Sequence, residues 1–108
     1  MSDINFVELF CGLKEIRDME ESLISTYGIQ NQTLVACEEL GELIQALSKT
    51  LRGGYGTDHL IEEIADAEVM IDQIKIFYHI DEEKIVEQKL FKLKRQMERI
   101  RKSKEEST

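Results

Sequence analysis

Two short runs of acids stand out for their spacing. Glu38-Glu39-Leu40-Gly41-Glu42 and Glu62-Glu63-Ile64-Ala65-Asp66 each hold an acid pair followed by a third acid. Glu38 and Glu42, like Glu62 and Asp66, are spaced i,i+4; Glu39 and Glu42, like Glu63 and Asp66, are spaced i,i+3. On a helix both spacings put the carboxylates on one face. Like charges so placed cost about 0.2–0.5 kcal/mol a pair, and no Lys or Arg between Asn31 and Ala46 or between Asp58 and Ile74 relieves them. The acids also adjoin apolar positions, as Glu63 does Ile64 and Asp66 does Ala67. Carboxylates that converge at a helix seam repel one another unless a cation or raised pKa values relieve them. An all-oxygen ligand set suits a hard divalent ion, Mg²⁺ or Mn²⁺. A di-iron bundle site needs Glu-x-x-His, which neither His59 nor His79 completes, because Gly56 and Ile76 stand three residues before them. No Cys/His cluster favours zinc. The plain alternative for the acids is a solvated charged face, and His59 and His79 read as ordinary residues at helix ends.

The elements that must position these acids are helices. Proline is absent and a third of the residues are charged, a composition rich in helix formers. Three glycines in Gly53-Gly54-Tyr55-Gly56 mark a loop, and weaker breaks lie at Tyr27-Gly28 and His79-Ile80-Asp81. Four helical segments are predicted. The first runs from about Asp3 to Thr26, with a kink or a division expected near Gly12 and Met19. The second runs from Asn31 to Leu51, stopped in front by Gly28 and capped by Asn31 or Thr33. Leu34, Cys37, Leu40, Ile44, Leu47 and Leu51 form its apolar stripe. The third starts at Thr57 or Asp58 as N-cap and runs to Tyr78, with Leu60, Ile64, Ala67, Ile71, Ile74 and Tyr78 on one face. The fourth is capped by Asp81 and covers about 23 residues, roughly 34 Å, with residues 103–108 expected to fray. The fold class is therefore all-α, a four-helix bundle forming a single domain over residues 1–108. The short glycine loop makes the second and third helices antiparallel, which can bring the two acid runs face to face.

Composition excludes several classes. No apolar run is long enough for a membrane span, and the N-terminal residues carry no secretory signal pattern, so a cytoplasmic protein is expected. Cys11 and Cys37 make no disulfide framework and read as small buried hydrophobes. The net charge of −8 is uneven: residues 1–83 hold 18 acids and 5 bases, residues 84–108 hold 9 bases and 4 acids. So acidic a chain is not expected to bind nucleic acid through a general basic face. The glycine loop lacks the Gly-Lys-Ser/Thr of a phosphate-binding loop and is a tight turn.

Glu38-Glu39-Leu40-Gly41-Glu42, followed after a loop by Glu63-Ile64-Ala65-Asp66, resembles the Glu-Glu-x-x-Glu and Glu-x-x-Asp signature of the MazG-like all-α nucleoside triphosphate pyrophosphohydrolases. Dimeric all-α dUTPases and dCTP pyrophosphatases belong to the same superfamily. The wider strings ELGELIQALSK and LIEEIADAEVMIDQI are similar to small MazG-like proteins, and the likeness covers about residues 28–100. The resemblance implies that Glu39, Glu42, Glu63 and Asp66 coordinate Mg²⁺, with Mn²⁺ a substitute, and that Glu38 holds or polarises the attacking water. Glu38 and Glu39 are thus the catalytic candidates. The implied reaction splits a (d)NTP between the α and β phosphates into a (d)NMP and pyrophosphate, a house-cleaning of the nucleotide pool. A homo-dimer or tetramer is implied, because the chain lacks the tandem repeat of longer MazG proteins.

Bases that would reach the phosphates are few. Lys49 stands seven residues past Glu42 and Arg52 opens the glycine loop; Lys89, Lys92 and Arg95 step by three along the last helix. Lys89 is the favoured contact, since similar family members carry a Lys and an Arg there. Gln30, Gln32, Met70 and Phe77 are candidates for a base pocket. There is no Trp, which leaves Phe77, Tyr78 and Tyr55 as the aromatic residues for stacking. Two rival readings are a non-enzymatic helical module whose acidic patches bind a basic partner, and a pyrophosphohydrolase of a phosphoribosyl nucleotide.

Overall fold

The computed structural model describes residues 5–107. They form three helices: α1, Phe6–Leu51; α2, Thr57–Phe77; and α3, Glu82–Glu106. The chain divides after Tyr78 into a unit that holds α1 and α2 and a second that holds α3. The start expected at Asp3 lies outside the described residues.

α1 begins with a capping box: the Asn5 side chain accepts from the Glu8 backbone N–H, and the Glu8 carboxylate accepts from that of Asn5. Its 46 residues contain one break, at Gly28, whose φ of 85° and ψ of 159° lie far from helical values. Only glycine takes that φ without steric cost. Two helical stretches therefore meet across a kink at Gly28, where the sequence marks a helix stop, whereas Gly12 and Met19 are passed unbroken and the kink expected near them is not found. Asn31 and Thr33 do not cap a new helix. The Asn31 amide donates to the Tyr27 carbonyl and the Thr33 hydroxyl to the Ile29 carbonyl, each at 2.8 Å, so both bond back to the preceding turn.

α1 and α2 are joined by a turn in which Gly53 has a φ of 81°. Gly54 donates to the Lys49 carbonyl at 2.7 Å, and a Cβ on Gly54 would lie 3.3 Å from that oxygen. The N-cap of α2 is Gly56, with Thr57 already helical, one residue earlier than expected. Cross-helix partners descend on α2 as they ascend on α1, from Gln32 with Gln73 to Glu39 with Asp66 and Glu63, so the two helices run antiparallel.

The seam between them differs from the predicted stripes. Its buried residues are Gln32, Ala36 and Ala46 on α1, and Ala67, Met70, Gln73 and Phe77 on α2. Leu34, Ile44, Leu47 and Leu51 are exposed, Leu51 by 90%. Small residues let two helices approach closely, and here they take the contact from those four positions, whereas Leu40, Leu60 and Ile74 of the expected stripes are half-buried and Ala67 is buried. Cys11 and Cys37 are free and exposed, not buried. α3 starts after His79, which has a left-handed φ of 54°. Asp81 is its N-cap, without a side-chain capping bond. α3 stays helical to Glu106, past the fraying expected from residue 103, and Arg101 pairs with both Glu98 and Glu105. Among the described residues no helix is long and apolar enough to cross a membrane.

Candidate functional site

The antiparallel register brings acids from the two runs together. Carboxylate oxygens of Glu39, Glu63 and Asp66 lie within 4.8 Å of one another. Glu39 and Glu63 are half-buried and Asp66 is exposed. One oxygen of Glu39 and one of Glu63 are buried with no hydrogen-bond partner. Burial raises the Glu39 pKa first, and the negative charges of Glu42, Asp66 and Glu63 and a hydrogen bond with Glu42 raise it further. Glu42 is exposed and joins the group through that bond; Glu38 is exposed and lies outside the 4.8 Å cluster.

Two cavities flank the cluster along the seam. One, of about 290 Å³, is lined by Glu42, Gln45, Ala46, Lys49, Tyr55, His59 and Glu63. Here the Lys49 ammonium donates to the Tyr55 hydroxyl at 3.0 Å and lies 5.0 Å from the centre of its ring. The Tyr55 and His59 rings are 4.0 Å apart. His59 Nε2 is 3.7 Å from Glu63 and Nδ1 is 4.0 Å from Glu62. The second cavity, of about 380 Å³, has Leu23, Val35, Val69 and Met70 as walls and Tyr27, Asn31, Gln32 and Gln73 as its polar residues. Gln73 is 0% exposed; it accepts from the Gln32 amide at 2.6 Å and donates to the Met70 sulfur at 3.6 Å. Val35 is one turn before Glu39 and Val69 one turn after Asp66, so this cavity adjoins the cluster on the side away from Lys49.

Of the expected base-pocket residues, Gln32 and Met70 line this second cavity, whereas Gln30 is exposed and Phe77 is buried edge-on against Tyr78. Arg52 is the exposed C-cap of α1. Lys89, Lys92 and Arg95 are exposed on α3, in the other unit; the Arg95 guanidinium lies 5.5 Å from the Phe91 ring centre.

Three features escaped the sequence reading. Gln73 is buried and bonded across the seam. The Tyr55 and His59 rings meet at a 47° tilt beside Lys49. Glu20 is buried in a hydrogen bond with Asp72. Only the close spacing of Tyr55 and His59, across the start of α2, was a signal available in the sequence. No protein-family model matches the chain, and comparison with curated proteins and with solved structures finds no match.

Proposed function

We propose that the α1–α2 seam is a Mg²⁺-dependent site that hydrolyses nucleoside triphosphates to nucleoside monophosphates and pyrophosphate. The observation that carries this reading is the convergence of Glu39, Glu63 and Asp66, with two buried oxygens that have no hydrogen-bond partner. Oxygens bound to one Mg²⁺ at about 2.0–2.1 Å lie at most roughly 4.2 Å apart, and these lie within 4.8 Å, so small side-chain rotations would bring them onto one ion. The donor set therefore fits Mg²⁺ or Mn²⁺, with Glu42 able to join by releasing its hydrogen bond to Glu39. A bound Mg²⁺ neutralises phosphate oxygens and lowers the pKa of a coordinated water. The water oxygen bonds to the α-phosphorus, the bond from that phosphorus to the oxygen bridging to the β-phosphate breaks, and pyrophosphate leaves. Glu38 or Glu39 takes the water's proton on this reading; Glu39 is the better placed, since Glu38 stands outside the cluster.

The family resemblance alone brings Lys89, Lys92 and Arg95 into this reading as phosphate contacts. It also supplies the four-helix bundle, the homo-dimer or tetramer and the cytoplasmic nucleotide-pool role. The exposed apolar stripe of α1 supports self-association. The test is a panel of canonical and modified (d)NTPs and a phosphoribosyl nucleotide with Mg²⁺, scored for pyrophosphate against phosphate release. Pyrophosphate release that is lost in Glu39→Gln, Glu63→Gln and Asp66→Asn, all still helical, is the expected result. No turnover of any of these compounds by wild type at micromolar enzyme refutes it and favours a non-enzymatic acidic module.

A further inference from the structure

One cation of the first unit lies beside acids without pairing with them. Lys49 lines the cavity next to Glu42 and Glu63, yet makes no ion pair with a described residue and instead bonds to Tyr55. The turn is built to hold it so. Gly53 supplies the left-handed φ, and Gly54 closes onto the Lys49 carbonyl so that an added Cβ would sit 3.3 Å from that oxygen, a tight contact. Tyr55 thereby lies beside the Lys49 ammonium, with the His59 ring 4.0 Å from its own and tilted by 47°.

The hydrogen bonding leaves donors to spare. An ammonium has three N–H donors, and one is used on the Tyr55 oxygen. A phenol oxygen that accepts from a cation becomes a better O–H donor, and no described acceptor takes that proton. The pair thus presents a charge-assisted N–H and a polarised O–H to one cavity, the arrangement that binds a phosphoryl group. The cavity at the opposite end of the cluster is apolar, with buried amides. Glu63 belongs both to the cluster and to the lining of the Lys49 cavity.

We infer that Lys49 and Tyr55 form the anion-binding end of the seam and hold the terminal, leaving phosphates of the substrate, so that the substrate lies with its phosphate tail toward the glycine turn and its organic part toward Gln32 and Gln73. His59 is a positioning residue that backs the Tyr55 ring. This rests on the proposed function, since the carboxylates beside Lys49 must be neutralised by cation before an anion enters.

The test uses the full-length chain, with Mn²⁺ alone and then Mg²⁺-pyrophosphate as the calorimetric probes. Lys49→Met should weaken pyrophosphate about ten- to a hundredfold, as expected for a lost charged hydrogen bond, and Tyr55→Phe about two- to tenfold. Lys49→Arg should restore most of the binding. All three should keep wild-type helicity and Mn²⁺ affinity, which a merely structural role would not separate from the loss of pyrophosphate. Wild-type pyrophosphate affinity in Lys49→Met and Tyr55→Phe, with Mn²⁺ binding intact, overturns this inference and leaves the metal reading standing. Absence of Mn²⁺ binding in wild type overturns the metal reading itself, and the inference with it.

Discussion

Glu20 provides a test of the seam that needs no substrate. It is 4% exposed and hydrogen-bonded to Asp72, and one of its oxygens is buried without a partner. Burial, then the bond to Asp72 and the Asp72 charge, push its pKa up to about 7 from 4.5. Arg17 opposes the shift, but its guanidinium is turned to Glu21 at 2.9 Å. The native protein thus holds a proton between about pH 4.5 and 7 that the unfolded chain has released. The folded state binds more protons in that window, so stability is greatest below it and falls as pH rises through it. At ~1.4 kcal/mol per unit the shift corresponds to a loss on the order of 3 kcal/mol by pH 8.

Glu20→Gln keeps a donor to Asp72 in its amide and has no charge to desolvate. Urea unfolding at one protein concentration should show wild type losing on the order of 3 kcal/mol between pH 5 and 8 relative to this variant. The variant should be close to wild type at pH 5 and the more stable protein at pH 8. Asp72→Asn should reduce the same slope, because it removes the like charge. Parallel stability curves for wild type and Glu20→Gln across the range refute the reasoning. So does a variant that is less stable at pH 8.

Two further predictions follow from the same physics. Metal-free Glu39→Gln should melt higher than wild type at pH 7.5, since the raised Glu39 pKa reports a charge that burial and three neighbouring carboxylates disfavour. It should gain nothing from Mn²⁺, whereas wild type at ten times the dissociation constant gains about 1.4 kcal/mol; equal Mn²⁺ shifts in differential scanning fluorimetry refute the assignment. Sedimentation at micromolar concentration should give a dimer or tetramer, and charged substitutions at Ile44 and Leu47 should shift it toward monomer; a wild-type monomer refutes the proposed assembly.

What was legible in the sequence was local. The absence of proline and the glycines at 28 and 53 mark helices and their breaks, because a positive φ is a property of one residue. The acid runs were legible because i,i+3 and i,i+4 spacing defines a helical face without reference to the rest of the chain. The seam was not. Periodicity says that Leu34, Ile44 and Leu47 share a face, but not that this face meets α2. Contact on α1 instead falls on Ala36 and Ala46, whose small side chains permit close approach to Ala67, the one fully buried member of the face expected on α2. The partners of Gln73, Glu20 and Tyr55 depend on cross-helix register and on the Gly28 kink, and no spacing within one helix encodes them.

That choice of seam has a consequence for stability. Among the described residues the first unit fully buries Gln32 and Gln73, alanines, Glu20, and only Met70 and Phe77 as large apolar side chains. Alanines remove little area from water, and buried amides and acids contribute little net free energy once their hydrogen bonds are made. The carboxylates subtract further, as the raised Glu20 and Glu39 pKa values record. A seam of this kind suits a cation and a polar ligand better than it suits a core. Meanwhile Phe6, at 80% exposure, and Leu51 lie open along α1. On the proposed reading the two facts are one design: the apolar free energy that the seam forgoes is recovered between copies of the chain. Association and metal binding should therefore each stabilise the fold, and loss of either should leave the other able to hold it only in part.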